Sequence, residues 1–268
     1  FPDPEIKEDY VIVDLKAAAL NRRDWWITQG MYANIRLNSI LGSDGCGIYE
    51  GEEVIICPSL YWGDEERYPT SQFKILGMDE DGTLAEKIAV RKKSIYKKPS
   101  HLSTEQAAAL PLSGITAYRA LFTRCGAKAG DNVLISGVGG GTALTACQLA
   151  IAAGANVFVT SGSEEKINKA MSLGAKGGAN YKDRDAMKKL GKSVGGFDVV
   201  IDATGVPAVI QNAFNYLKPR GQFLQFGVAP IGAKIEIEPY AIFRYDWQII
   251  GSFALCYTFQ PSIDWLAN

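Results

Sequence analysis

The sequence predicts an α/β protein in two parts: a small irregular β barrel, followed by a doubly wound parallel sheet with helices on both faces. Three observations predict it. Residues 1 to about 100 read as short strands punctuated by Pro, Gly and Asp. From Leu102 onward short apolar strands alternate with helical segments. Within that second part a buried strand, Val133-Leu-Ile, runs into a glycine cluster and then into a helix.

The elements follow in order. Asp9–Leu15 places Val11, Val13 and Leu15 on one face, the alternation of a half-buried strand. Leu41-Gly-Ser-Asp-Gly-Cys-Gly is glycine-rich, and Val54-Ile-Ile is a short strand. Gly82-Thr-Leu-Ala-Glu begins with turn chemistry and leads into the strand Lys87-Ile-Ala-Val. Ser103, with Gln106 three residues later, forms a capping-box pattern that opens a helix through Ala107–Ala109. Strands are expected at Asn132–Ser136, Asn156–Thr160, Gly178–Tyr181, Phe197–Ala203, Gln222–Phe226 and Trp247–Phe253. Helices are expected between most of them, at Ala143–Ala153, Glu164–Leu173, Arg184–Lys192 and Pro207–Leu217.

Composition agrees with a globular chain. Of 268 residues, 47% are apolar and 21% charged, which excludes disordered, collagen-like and coiled-coil classes. At roughly 150 residues per domain, the length suggests one large or two ordinary domains. With 28 basic and 29 acidic residues the net charge is −1, so no overall basic excess exists to hold a nucleic acid. The longest apolar stretches are too short or too broken to span a bilayer. Five scattered cysteines (Cys46, Cys57, Cys125, Cys147, Cys256) without a Cys-x-x-Cys pair, and no signal peptide, point to a reducing compartment and a cytoplasmic location.

Val133-Leu-Ile-Ser-Gly-Val-Gly-Gly-Gly-Thr-Ala is the sharpest feature. Glycines let a backbone approach a pyrophosphate, whose charge the helix N-terminal N–H groups stabilise. The strict G-x-G-x-x-G is not met, because the third position is Thr142. Gly137-x-x-Gly140-x-x-Ala143 fits a looser variant, and Gly139, Gly140, Gly141 and Thr142 become candidate cofactor-binding residues. At the end of the next strand an acidic residue would bond the ribose 2′-hydroxyl of NAD. Ser161 stands there instead, followed by Gly162, which leaves room for a 2′-phosphate, and Lys166 offers it positive charge. Glu164 and Glu165 intervene, and opening the next helix would point them away.

The ordering of these pieces resembles the medium-chain dehydrogenase/reductase superfamily, and most of all its zinc-independent quinone-oxidoreductase-like branch. The resemblance covers most of the chain. It rests on Ala18-Ala-Leu-Asn-Arg-Arg-Asp, Leu41-Gly-Ser-Asp-Gly-Cys-Gly, Gly82-Thr-Leu-Ala-Glu, Pro111-Leu-Ser-Gly-Ile-Thr-Ala-Tyr, Val200-Ile-Asp-Ala-Thr-Gly and Leu217-Lys-Pro-Arg-Gly-Gln-Phe-Leu-Gln-Phe-Gly. It implies a GroES-like catalytic domain at residues 1–102 and a Rossmann dinucleotide-binding domain at 103–268, with chemistry in the cleft between them. Where the family has a further strand and loop, Ile48-Tyr-Glu runs straight into Gly51-Glu-Glu, so a segment is expected to be missing near 50/51. The C-terminal return to the catalytic domain is expected to be absent. The resemblance adds Thr116, Tyr181, Thr204, Phe226 and Gly227 to the cofactor-binding set.

The same resemblance bears on metal. Zinc enzymes of the family use Cys and a Gly-His-Glu motif, where this chain has Asn21 and Gly42-Ser-Asp. The stretch 58–77 has no cysteines for a structural zinc lobe, and the single histidine, His101, precedes a helix N-terminus, where a surface or capping role is expected. No metal is expected, although Asp44, Cys46 and Cys57 are weighed as a makeshift site. Without a Lewis acid, hydrogen-bond donors must polarise the acceptor oxygen. Asn21 and Tyr32 are the candidate catalytic residues; the other readings are a turn-stabilising amide and a plain pocket wall. Trp25, Trp26, Tyr61 and Trp62 are weighed as walls for a flat substrate. One histidine in a capping context makes a poor hydrolytic base.

The expectation is an NADPH-dependent oxidoreductase, with NADP as cofactor. It transfers a hydride to a small-molecule quinone, enone or carbonyl substrate without zinc. It has no nucleic-acid or membrane partner, and it forms a homodimer through the edge strand Tyr245–Phe253. The alternatives are an alcohol dehydrogenase with a residual metal site, and a non-catalytic NADPH-binding protein on the same fold.

Overall fold

The computed structural model describes residues 1–32, 34–253, 255 and 259–267. The chain divides into two compact units, Phe1–Ile115 with Leu255–Asn268, and Thr116–Ala254.

The first unit is built on an antiparallel sheet. Strand β1 (Tyr10–Ala19) is followed by helix α1 (Arg22–Thr28), then by β2 (Asp44–Tyr49) and β3 (Glu52–Ile56). The short pair β4 (Ser59–Leu60) and β5 (Lys74–Ile75) precedes β6 (Lys87–Arg91) and β7 (Ile95–Lys97). Five strands pair in the order β6-β1-β2-β3-β7, while β4 and β5 pair with each other. The period-2 pattern of β1 does what it should: Val11, Val13 and Leu15 share one core with Val54, Ile56, Leu76, Ile88 and Val90. A bulge at Lys16 breaks the β1–β2 register.

The expected gap near 50/51 is closed by a tight hairpin. Tyr49 pairs with Glu52, and the two turn residues, Glu50 and Gly51, have φ of 50° and 84°. A two-residue turn with both positions left-handed matches the twist of the strands it joins, so β2 passes directly into β3.

Helix α2 (Thr104–Ala108) is opened by the anticipated capping box: the Gln106 N–H donates to Ser103 Oγ at 3.2 Å and the Ser103 N–H to Gln106 Oε1 at 3.0 Å. Helix α3 (Pro111–Tyr118) follows. The boundary lies at 115/116 rather than 102/103, for a packing reason. Ala107, Ala108 and Ile115 are buried with Cys46, Ile55 and Cys57 in one apolar cluster, so the alanine run completes the first unit's core.

The second unit alternates strand and helix: β8 (Asn132–Ile135), α4 (Gly141–Ala152), β9 (Asn156–Ser161), α5 (Glu164–Ser172), β10 (Gly177–Asn180), α6 (Arg184–Val194), β11 (Phe197–Asp202), α7 (Pro207–Ala213), β12 (Leu217–Gln225), α8 (Pro239–Tyr245) and β13 (Gln248–Gly251). The six strands lie in the order β10-β9-β8-β11-β12-β13, all parallel. Strand order therefore reverses between β8 and β11, and the crevice at the carboxyl ends of those strands is where such sheets bind ligands. Leu134, Phe197, Val200 and Phe223 fill the sheet's core with Phe214 and Ile210. Helix α8 is an addition to the sequence reading. None of its residues is buried and Tyr240 and Phe243 are exposed, so it carries no one-sided apolar pattern to read.

The closing segment corrects another expectation. Helix α9 (Phe259–Ala267) belongs to the first unit, where Leu255, Phe259 and Ile263 are buried in the cluster around Cys46 and Ile55. Phe259 meets Tyr96 edge to face at 4.8 Å, and Ser59 Oγ donates to the Leu255 carbonyl. The chain thus returns to its first unit, contrary to the reading that no return is present. Cys256 lies outside the described residues. Among those described, no helix is long and apolar enough to cross a membrane.

Candidate functional site

The loop after β8 is built for close backbone approach. Strand β8 is buried on both faces, and the chain leaves it at Ser136 and turns at Gly137, whose φ of 69° is left-handed. The Val138 N–H donates to Thr160 O at 3.0 Å and the Gly140 N–H to Gly137 O at 3.1 Å, which pins the loop against β9. Gly140 is the N-cap of α4. A side chain built at Gly141 would meet nothing within 4 Å, and one at Gly140 only Gly137 O at 3.7 Å. These glycines therefore bare the first N–H groups of a twelve-residue helix to open space, a cradle that fits a pyrophosphate. Thr142 lies in the first turn of that helix.

Asp202, at the end of β11, holds this loop to its neighbour, and the sequence reading passed over it. Its buried carboxylate accepts from Ser136 Oγ (2.8 Å), Thr204 Oγ (2.7 Å), the Thr204 N–H (3.2 Å) and the Gly205 N–H (2.8 Å). Its carbonyl accepts from the N–H groups of Phe226 and Gly227 at 3.1 and 3.0 Å. One residue thus positions Thr204, Phe226 and Gly227. Asp202-Ala-Thr-Gly is the sequence of a side-chain-bonded turn, and that is the signal the sequence carries.

The second strand ends as anticipated. Ser161 is buried, and its Oγ accepts the Ser163 N–H at 3.2 Å. Glu164 and Glu165 occupy the exposed first turn of α5, and Lys166 reaches back, its Nζ 3.0 Å from where a Gly139 Cβ would sit. Tyr181 follows β10, its N–H donating to Ser161 O at 3.2 Å. A cavity of about 1010 Å³ opens beside these strand ends, lined by Ser136, Thr160, Tyr181, Arg184 and Val206, and it runs on between α6 and α7. Its volume and mixed lining suit the adenosine end of a dinucleotide. Candidates from five strand ends or the helices after them therefore converge on one edge of the sheet. Thr116 sits half-buried in α3, at the first residue of this unit.

In the first unit the half-buried Asn21 pairs with the buried Asp44. Asn21 is the N-cap of α1; its backbone N–H donates to Asp24 Oδ2 at 2.7 Å and its side-chain Nδ2 to Asp44 Oδ2 at 2.8 Å. The other carboxylate oxygen, Asp44 Oδ1, accepts the Leu112 N–H at 2.7 Å, at the start of α3. Burial pushes the Asp44 carboxyl up to about 7, against the pull of those two donors. Asp24 adds to the rise, and Arg23 opposes it. Arg23 is itself buried, its Nη2 donates to Leu76 O at 3.1 Å, and burial lowers its pKa while Tyr32 and Asp24 support its charge. Tyr32 is half-buried beyond α1. Asn21 thus closes a reciprocal capping box with Asp24, and its side-chain amide keeps one N–H that is not given to Asp44.

The aromatic candidates separate. Trp62 is core, buried against Phe73 at 5.1 Å with its Nε1 donating to Glu65 O. Trp25 is exposed and, with Trp26, lies under the Arg22 guanidinium. Tyr61 bonds Tyr10 hydroxyl to hydroxyl at 2.9 Å. His101 is exposed in the turn before α2.

The donor chemistry does not fit a zinc ion. Ser43 is buried with its Oγ donating to Leu76 O at 2.7 Å, Asn21 presents an amide, and both Asp44 oxygens already accept. Cys46 and Cys57 lie in the apolar core, where burial pushes the Cys46 thiol up to about 11. Among the described residues no three His, Cys, Asp or Glu side chains converge.

Two family models match the chain: the alcohol dehydrogenase GroES-like domain over residues 7–100 and the zinc-binding dehydrogenase over 141–268. The zinc-type alcohol dehydrogenase-like protein YogA of Leptosphaeria maculans is 37% identical over 245 residues, covering 81% of this chain and 68% of that protein. The quinone oxidoreductase of Lama guanicoe is 33% identical, covering 89% of this chain and 68% of its own. A crystal structure of an NAD-dependent alcohol dehydrogenase superposes with a TM-score of 0.89 at 31% identity, covering 100% of this chain and 83% of that one. The chain belongs to the medium-chain dehydrogenase/reductase superfamily of oxidoreductases, in its quinone-oxidoreductase-like branch.

Proposed function

We propose that the protein is an NADPH-dependent, zinc-independent oxidoreductase that reduces the carbon of a quinone, enone or carbonyl substrate. The observation that carries this reading is the end of β9. Ser161 and Gly162 stand where an acid would claim a ribose 2′-hydroxyl and repel a 2′-phosphate, and the exposed Lys166 lies beside the glycine loop. The bound nicotinamide supplies the hydride. The chain's own work is to hold the pyrophosphate on the bared N–H groups of α4 and to fix Thr204, Phe226 and Gly227 through Asp202. In the first unit, Asn21 and Tyr32 are the groups offered to a substrate oxygen, with Asp44 orienting the Asn21 amide.

The zinc-free reading rests on Asn21 and Ser43 in place of soft or imidazole ligands. Metal analysis of the purified protein is expected to give far less than one zinc per chain, and a chelator should leave turnover unchanged. Stoichiometric zinc would overturn this part of the proposal. The homodimer reading is supported by β13, the last strand of its sheet, where Ile249 is 49% exposed and Phe253, two residues beyond the strand, 55%. Light scattering at micromolar concentration should return twice the chain mass.

The direct test of the function is a screen of quinones, enones, aldehydes and alcohols with each nicotinamide nucleotide. NADPH-dependent reduction is expected, and Ser161→Asp should move preference toward NADH. Binding without turnover on the whole panel would favour a non-catalytic NADPH-binding protein.

A further inference from the structure

The turn between β10 and α6 carries a lysine that the sequence reading left unassigned. A Cβ placed on Gly162 would lie 2.6 Å from Tyr181 Oη and 3.1 Å from Lys182 Cε. Both side chains therefore lie across the β9–α5 turn, directly over the Cα of Gly162. Backbone bonds hold them in that direction: Asn180 pairs with Ser161 in the β9–β10 ladder, and the Tyr181 N–H donates to Ser161 O at 3.2 Å. The Lys182 N–H donates to Asn180 Oδ1 at 3.1 Å. Lys166 lies by the neighbouring glycine loop, its Nζ 3.0 Å from the Cβ position of Gly139.

The charges around this turn are distributed asymmetrically. Asp183, next to Lys182, is turned to its own helix and accepts the N–H groups of Asp185 and Ala186 at 2.9 and 3.0 Å. Glu164, Glu165 and Asp185 lie in the exposed first turns of α5 and α6, where they complement the helix termini. Arg184 adds a further cation on the cavity wall. None of the ion pairs among the described residues engages Lys166 or Lys182. A phenol and the lysine chain of Lys182 thus lie at Gly162, with the Lys166 ammonium at the adjacent glycine loop.

We propose that Lys182 is a specificity-determining residue: with Lys166 and Tyr181 it closes over Gly162 to bind the 2′-phosphate of the nucleotide. The assignment rests on the NADPH reading above and deepens it. Lys182 supplies charge to a group that NADPH has and NADH lacks, so its removal acts on one nucleotide only. Gly162 is needed because a side chain there would fill the space into which Tyr181 and Lys182 fold.

The test is equilibrium binding, read by titration calorimetry, on the wild type and on Lys182→Ala, Lys182→Arg and Lys189→Ala. The ligands are NADPH, NADH, adenosine 2′,5′-bisphosphate and AMP. Lys189 is exposed on α6 away from the cavity and controls for the lost charge. Lys182→Ala should weaken NADPH and the bisphosphate by roughly 5- to 30-fold and leave NADH and AMP within about twofold. Lys182→Arg should restore most of that loss, and Lys189→Ala should match the wild type. A wild type that prefers NADPH, with Lys182→Ala changing neither nucleotide or both equally, overturns the role of Lys182 and leaves the NADPH reading standing. A wild type that prefers NADH overturns the NADPH reading itself.

Discussion

Asp202 and Asp44 are both buried at strand ends or starts, one in each compact unit, and they are satisfied in different ways. The Asp202 carboxylate accepts from Thr204 and Gly205, two and three residues on, and from Ser136, 66 positions away after the neighbouring strand, four donor groups in all. Among the described residues the Asp44 carboxylate accepts from two donors, Asn21 Nδ2 and the Leu112 N–H, 23 and 68 positions distant. With two donors, burial dominates, and the Asp44 carboxyl is held up at about 7. The difference teaches how each site is made. The carboxyl edge proposed to hold the nucleotide is tied together by a carboxylate with four donors, two hydroxyls and two N–H groups. The Asn21 region is assembled around a carboxylate with two donors, one side-chain and one backbone, whose charge is costly.

The comparison is broken most severely by Asp202→Ala. Two hydroxyls and two N–H groups lose their acceptor inside the protein, and unpaired buried donors cost about 1–3 kcal/mol each before relaxation. Chemical denaturation should show a loss of about 3–5 kcal/mol, with nucleotide binding lost alongside. Asp202→Asn, which keeps one acceptor oxygen, should lose less. Equal stability of wild type and Asp202→Ala would show that the hub holds nothing.

Asp44 sharpens the contrast through pH. Its folded value lies above that of a free carboxylate, so the folded protein keeps a proton that the unfolded chain has released between about pH 4 and pH 7. Its contribution to stability therefore falls as pH rises across that window and levels off above it, by on the order of 2–4 kcal/mol. Asp44→Asn cannot titrate. Its melting temperature should lack that slope between pH 4.5 and 7.5, although it starts lower because one amide oxygen cannot accept both N–H groups. Parallel profiles for the two proteins would place the proton elsewhere. The smallest effect is expected at Ser103, where Ala removes the cap of α2 for about 1 kcal/mol without changing nucleotide affinity.

Much of the second unit could be read in the sequence, because its signals are local. The strands from Asn132 to Ile201 and the helices between them depend on residues within a few positions of one another, as does the capping box at Ser103 in the first unit. Ser161 and the glycine loop were found for the same reason. The turns at Gly42, Gly77 and Gly82 show where local reading stops: a Cβ on Gly82 would lie 2.0 Å from Gly42 O, and one on Gly77 2.3 Å from it, a meeting of three distant backbones. The return of Leu255, Phe259 and Ile263 to the first unit is equally non-local, as is the bond from Asn21 to Asp44. Asp202 and Lys182 lay within quoted or adjacent motifs. Their roles emerge only when the loops that follow different strands are brought side by side.

We propose that the carboxyl edge of the parallel sheet selects a 2′-phosphorylated dinucleotide. Equilibrium dissociation constants of NADPH and NADH for the wild-type protein, measured at one ionic strength, test it most directly. NADPH is expected to bind more tightly by about tenfold or more, as charge-assisted bonds from Lys166 and Lys182 require. Equal affinities, or tighter binding of NADH, would contradict it.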